Sequence, residues 1–212
     1  FPRGYHIEYG GGMTMPIYGF SWNMDSLNGK FPVNGVQKEG GGYGKSLKED
    51  VRFFYGARIG MAGRGEAVPR ADNLCKIDDH VVDKYGIPVL KFDVKHSQYE
   101  ISQARHMKET FKEIFHNMGA VITGGDQDSE KNSWGLNNPG NVIHEAGTVR
   151  MGNDPKTAAL NKWQQAHDCK NLFCVDGSPF VSQADKNITW TILALAMRAS
   201  ENIIEELKKQ NI

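Results

Sequence analysis

Residues 171–197 read Asn171-Leu172-Phe173-Cys174-Val175-Asp176-Gly177, then a short polar loop, then Asn187-Ile188-Thr189-Trp190-Thr191-Ile192-Leu193-Ala194-Leu195-Ala196-Met197. The first piece is a run of apolar, β-forming side chains that stops at an acid and a glycine, which predicts a buried strand. The second is apolar on every side, and a helix of that composition belongs in an interior. Its continuation changes character. Glu205 and Glu206 precede Lys208 and Lys209, as on a solvated helix face, so a helix is predicted over 189–209. A strand handed through a loop to a helix makes this end of the molecule mixed in class.

Working outward, Ala104, Met107, Phe111, Ile114 and Met118 recur at steps of three and four. That spacing predicts an amphipathic helix with Ser97 or Ser102 as its cap and Gly119 at its end. Such a stripe lies on a sheet, and short strands precede it. Tyr5-His6-Ile7-Glu8-Tyr9 alternates. Phe53-Phe54-Tyr55, Ile59 and Met61 within 51–64 predict buried β structure. Leu74-Cys75-Lys76-Ile77 forms another strand, and a turn at Tyr85-Gly86-Ile87-Pro88 leads into Val89-Leu90-Lys91-Phe92-Asp93-Val94. The expected sheet is antiparallel or mixed and built from hairpins. Residues 1–50, broken by Gly10-Gly11-Gly12, Pro16, Pro32 and Gly40-Gly41-Gly42, read as loops and short strands. Residues 124–141 read as a polar loop. The fold class is α+β.

Composition removes several functions. The 212 residues carry 25 Lys+Arg against 25 Asp+Glu, so the surface lacks the basic excess that nucleic-acid binding requires. At 39% hydrophobic and 24% charged the chain is too apolar for disorder. It has no apolar run long enough to span a bilayer. The cysteines at 75, 169 and 174 form neither a CxxC pair nor an even disulfide set. The first residue is Phe1, and no signal segment follows it, so the chain is expected to be a piece of something longer.

Motif by motif, the familiar constellations fail. Gly40-Gly41-Gly42-Tyr43-Gly44-Lys45-Ser46 imitates a phosphate loop, but Glu39 stands where its first glycine belongs and Asn34-Gly35-Val36-Gln37-Lys38 before it reads as no buried strand. Gly60, Gly63 and Gly65 are misordered for a dinucleotide fingerprint and lead to Pro69 rather than a helix. The seven histidines show no metal-ligand spacing. Asn187-Ile188-Thr189 matches a glycosylation triplet, yet it opens a helix expected to be buried.

What remains is His144-Glu145-Ala146-Gly147-Thr148-Val149-Arg150-Met151-Gly152, together with Asp176-Gly177-Ser178 and the helix after Asn187. A lone loop histidine is as a rule an ordinary surface side chain. Glycines at 147 and 152 suit close approach of backbone to a ligand. An apolar helix start presents free N–H groups and partial positive charge to an anion. A base, an amide and such a helix end together suit removal of a proton and a hydride from an alcohol.

In that order these three pieces resemble the C-terminal signature of the glucose-methanol-choline (GMC) family of flavin oxidoreductases: His-x-x-Gly-Thr-x-x-Met-Gly, an apolar strand ending in Asp-(Gly/Ala)-Ser, and (Asn/His)-Pro-x-x-Thr-(Ile/Val) opening the last helix. Ile188 departs from the pattern, where the family usually has Pro. Pro69-Arg70-Ala71-Asp72-Asn73 through Asp83-Lys84-Tyr85-Gly86-Ile87-Pro88 resembles the start of the family's C-terminal region, nearest to the bacterial glucoside 3-dehydrogenase branch. The resemblance covers residues 62–210.

The resemblance implies a substrate-binding sheet portion over 1–140, with helices on one face. Over 141–212 it implies a catalytic segment that returns, as a strand and a helix, to an FAD-binding domain whose N-terminal part is missing. It implies FAD as cofactor, a sugar or other alcohol as substrate, and hydride transfer from the CH–OH carbon to the flavin. His144 would be the base. Asn187 would orient the substrate oxygen, since an amide takes no proton. Asp176 and Gly177 would lie near the ribityl and pyrophosphate of FAD, and Thr189, Trp190 and Thr191 would set N–H groups at the flavin's pyrimidine edge. A small subunit or a cytochrome would fit as electron acceptor, in the bacterial cytoplasm or periplasm. Without the N-terminal Gly-x-Gly-x-x-Gly, the chain alone is expected to be inactive and to hold FAD weakly. The competing reading is a non-catalytic carbohydrate-binding module using Tyr5, Tyr9, Tyr18, Trp22, Tyr43 and Trp134 as stacking surfaces.

Overall fold

A computed structural model describes residues 4–11, 30–33, 36–39, 44, 45, 48, 52, 59–122, 130–142 and 144–212, with backbone alone for 30–33, 36–39 and 130–132. In chain order the elements are β1 (Tyr5–Gly11), β2 (Lys30–Val33), β3 (Val36–Glu39), β4 (Ile59–Gly65), β5 (Leu74–Val82), β6 (Pro88–Asp93), α1 (Gln98–Asn117), a 3-10 turn (Glu130–Gly135) and α2 (Thr189–Lys208). The chain divides into two units. One comprises Phe1–Gly4, Gly65–Ile101 and Asn137–Ile212; the other comprises Tyr5–Arg64 and Ser102–Leu136.

Among the described residues the strands form three two-stranded sheets, β1 with β4, β2 with β3, and β5 with β6, where hairpins of one sheet were expected. β2 and β3 are antiparallel, with Val33 opposite Val36. The β5–β6 hairpin is antiparallel with Leu74 opposite Asp93 and Ile77 opposite Leu90, and its register shifts between Ile77 and Val82. The side chain of Asp78 causes the break. Its carboxylate accepts the N–H groups of His80 at 2.8 Å and Val81 at 3.0 Å, drawing those donors out of the ladder. Asp83 then organises the turn, accepting from the N–H groups of Tyr85 at 2.8 Å and Ile87 at 3.0 Å.

The predicted first helix is present, and Ser97 is its cap. Its hydroxyl accepts the N–H of Tyr99 at 3.1 Å, while the Glu100 carboxylate reaches back to the Ser97 N–H at 2.6 Å. These are the two halves of a capping box. Ser102 lies inside the helix. Gly119, at φ 68°, ends it: its N–H donates to His116 O at 3.0 Å and that of Ala120 to Phe115 O at 2.9 Å. In the second unit α1 packs on β4 as expected. Ala104 and Met107 are buried, and a Cβ added to Gly63 would meet Met107 Sδ at 2.5 Å and Phe111 Cζ at 3.1 Å. Tyr5 Oη lies 2.8 Å from His106 Nδ1 and 3.0 Å from Thr110 Oγ1, which commits that phenol to packing β1 against α1.

Five expectations are corrected. Residues 171–177 are not a buried strand: Phe173 makes a single bridge to Gln165, and Leu172 and Val175 are exposed. A strand needs neighbours along its edges, and here the pairing ends with Leu172 O accepting from Ala166 N and Cys174 N donating to Gln164 O. The start of α2 is not buried either, with Trp190 83% exposed and Leu193 and Met197 more than half exposed. The helix has one packed side, and nothing among the described residues covers the other. Within 51–64, Arg52 is helical, and Ile59 and Met61 lie in β4 as expected, but the Ile59 side chain is exposed rather than buried. A helical turn also stands in the 1–50 stretch, where Lys48 N donates to Gly44 O at 3.2 Å. The polar loop of 124–141 contains the 3-10 turn Glu130–Gly135. Phe53, Phe54, Tyr55, Tyr18, Trp22, Tyr43 and the phosphate-loop mimic, apart from Gly44 and Lys45, lie outside the described residues.

Candidate functional site

The three motif pieces lie in the first unit, and backbone hydrogen bonds join the first two. The N–H groups of Gly147, Val149 and Met151 donate to the carbonyls of Gly177 at 3.2 Å, Ser178 at 3.2 Å and Pro179 at 2.9 Å. The histidine-bearing segment is thereby laid along the Asp176-Gly177-Ser178 segment without either forming a regular strand. Gly147 has φ 85°, and a Cβ there would stand 3.0 Å from Phe180 O, so both conformation and space demand glycine.

Gly177 also joins this pair to α2. Its own missing Cβ would lie 3.3 Å from Ile188 Cδ1, 3.4 Å from Glu145 O and 3.8 Å from Ile192 Cδ1. The first turn of α2 therefore sits against the motif, one residue from His144. The segment rests on buried Leu160, Gln164 and Pro179. Gly152 N donates to Leu160 O at 2.8 Å, and Gln164 Nε2 to Cys174 O at 3.1 Å.

His144 is half-buried, and its Nδ1 is buried with no hydrogen-bond partner. An imidazole nitrogen stripped of water and unpaired is costly in a finished interior and apt for a group that exchanges protons with a ligand. Asn187 is exposed, as are Thr189, Trp190 and Thr191. Ile188 precedes α2 with no side-chain cap, and the first helical bond runs from Ile192 N to Ile188 O at 2.9 Å. The N–H groups of residues 189–191 therefore have no intrahelical partner and face outward with the positive end of the helix dipole. Asp176 is exposed. The Ser178 hydroxyl at 2.5 Å and the Ser178 N–H at 2.8 Å hold its carboxyl below its ordinary pKa, so it stands as an anion.

Sequence reading missed Arg198, the one charged residue within 189–199. Its guanidinium donates to Lys162 O at 2.6 Å, lies 4.0 Å from Met151 Sδ and stacks 5.8 Å from the Trp163 ring centre. The available signal was a lone cation inside an apolar helical run. Among the described residues no group of three His, Cys, Asp or Glu side chains could hold a metal ion, and no helix is long and apolar enough to cross a membrane.

The half-buried His144, the glycine-lined backbone crossing and the uncapped start of α2 thus form one local arrangement, and comparison with known proteins gives its family. Residues 69–196 match the family model for the C-terminal domain of GMC oxidoreductases, and the chain belongs to that family. It is 33% identical over 161 residues to 2-methyl-1,2-propanediol dehydrogenase of Mycolicibacterium austroafricanum, a match covering 76% of this chain and 28% of that protein. It is 27% identical over 166 residues to the fructose dehydrogenase large subunit of Gluconobacter japonicus, covering 78% and 29%. It is 26% identical over 191 residues to the gluconate 2-dehydrogenase flavoprotein of Pantoea cypripedii, covering 85% and 30%. The chain thus spans less than a third of the length of these relatives.

Proposed function

We propose that this chain is the C-terminal, catalytic portion of a flavin-dependent oxidoreductase that converts a CH–OH group of a sugar or small alcohol to a carbonyl. On this reading residues 1–140 belong to the substrate-binding part and residues 141–212 return to the flavin-binding part. The observation that carries it is the backbone crossing at Gly147 and Gly177, which puts the histidine segment against the uncapped start of α2. The names of the relatives, a diol dehydrogenase, a fructose dehydrogenase and a gluconate dehydrogenase flavoprotein, support the substrate class and the flavin.

The residues fit FAD. Unpaired N–H groups at 189–191 and the helix dipole suit an electron-rich, anionic ring edge. Asp176 and Gly177 would line its ribityl and pyrophosphate portion, the glycine allowing close approach. Bound there, a flavin supplies the acceptor for the hydride that leaves the alcohol carbon. His144 accepts the hydroxyl proton on a ring nitrogen as that C–H bond breaks, so the oxygen's electrons form the carbonyl. Asn187 hydrogen-bonds the same oxygen through its amide and turns the C–H toward the acceptor. The large-subunit name among the relatives supports a partner subunit, and this reading takes that partner to be a small or cytochrome-bearing electron acceptor.

The test is His144→Ala in the full-length, flavin-loaded protein. Turnover should fall by about two to four powers of ten while the flavin absorbance stays. Near-normal turnover would remove His144 from the reaction.

A further inference from the structure

α2 meets the joined motif pieces at two places. Near its start, Ile188 and Ile192 pack on Gly177. Six residues beyond Ile192, about 9 Å along the axis, Arg198 reaches Met151, the penultimate residue of the His144–Gly152 piece, and Lys162 O. The first contact is apolar and nondirectional, so a rod held there alone is free to tilt and roll. The second is directional: a charge-assisted donor at 2.6 Å, with the guanidinium over Trp163, whose ring also carries Lys162 Nζ at 5.2 Å.

Arg198 Nε is buried with no hydrogen-bond partner, so keeping a cation here costs desolvation that a methionine would avoid. Met151 is itself anchored, by its N–H to Pro179 O and by a bridge to Leu160, which is 2% exposed. We propose that Arg198 is a positioning residue: its grip on Lys162 O and Met151 fixes the axis of α2, and so holds Asn187 in register with His144. The inference rests on reading His144 and Asn187 as the reacting pair.

The experiment compares Arg198→Met and Arg198→Lys, each alone and with Asn187→Ala, in the full-length flavin-loaded protein. Arg198→Met keeps most of the apolar stem and removes every donor. It should lower kcat about ten- to a hundred-fold, as a misplacement near 1 Å does, with KM within about two-fold and flavin content unchanged. Arg198→Lys, retaining one donor, should lose less. In the Asn187→Ala background Arg198→Met should cost little further, because the residue it positions is gone. Independently of activity, amide exchange at Val149, Met151 and Ile192 should quicken in Arg198→Met.

Wild-type kcat and exchange in Arg198→Met overturn the proposal, and so does a full additive loss on top of Asn187→Ala. If Arg198→Met fails to fold, Arg198→Lys decides the matter: a fall in kcat with faster exchange at Met151 supports positioning, and unchanged values overturn it. His144→Ala separates the two claims. If it retains turnover, the site reading fails. If it is inactive while Arg198→Met is not, only the positioning role fails.

Discussion

The β5–β6 hairpin and the 144–180 segment follow opposite rules. The hairpin is regular, yet its apolar side chains lie open, with Ile77, Leu90 and Phe92 each about 60% exposed. The 144–180 segment forms no named strand or helix, yet it holds the largest fully buried side chains among the described residues, Leu160, Gln164 and Pro179. Hydrogen-bond regularity and burial are therefore separate properties here. The hairpin is held by local pairing and its two aspartate turns, the segment by backbone bonds between residues some thirty apart and by side chains wedged beneath it. The candidate site rests on the second kind of order, in which nonlocal bonds cannot relax one residue at a time.

The widest separation should come from paired leucine truncations. Leu160→Ala should destabilise the protein by about 2–5 kcal/mol, since it empties a buried position, whereas Leu90→Ala in the hairpin should change it by less than about 0.5 kcal/mol. Urea titrations of both variants check this, and equal losses would show that the hairpin's apolar face is covered in the intact protein.

A smaller effect is expected at Gly147. Gly147→Ala meets a left-handed backbone and a carbonyl at 3.0 Å, so it should cost about 1–3 kcal/mol. The hairpin's Gly86 has φ 82° but open space around it, and Gly86→Ala should cost less, about 1 kcal/mol. Thermal melts rank the two.

The smallest difference concerns acid. The N–H of His80, outweighing slight desolvation and aided by the N–H of Val81, lowers the pKa of Asp78; the Ser178 hydroxyl and N–H lower that of Asp176. A depressed folded-state pKa stabilises fully above the unfolded value, about 3.9 for Asp, and the contribution is lost as pH falls through the folded value. The protection of the Val81 and Ser178 amides from exchange, relative to a free amide at the same pH, should therefore fall below about pH 4, and Asp78→Asn and Asp176→Asn should each abolish that acid response at its own site alone.

Much of the periodic structure was legible in the residues. Ser97 with Glu100, Gly119 past the end, and the Ala104–Met107–Phe111 spacing specify α1 through contacts within a few residues. Asp83 and Gly86 do the same for the hairpin turn. The motif residues of the candidate site were legible too, through their order along the chain, and the structure brings the three pieces together. Burial was not legible. The apolar runs Leu172–Val175 and Trp190–Met197 read as interior, yet they are largely exposed, because hydrophobicity states what a side chain gains from cover and not whether a neighbour supplies it.

By itself the sequence determined the local elements and the motif residues of the candidate site, since capping, periodicity and motif order need only neighbours along the chain. Tertiary structure alone decided that Gly147 crosses Gly177, that Ile188 and Ile192 rest on that crossing, and that Arg198 reaches back to Met151 and Lys162. Those relations join residues tens of positions apart. No propensity encodes them, because each depends on a backbone path that exists only once the chain has packed.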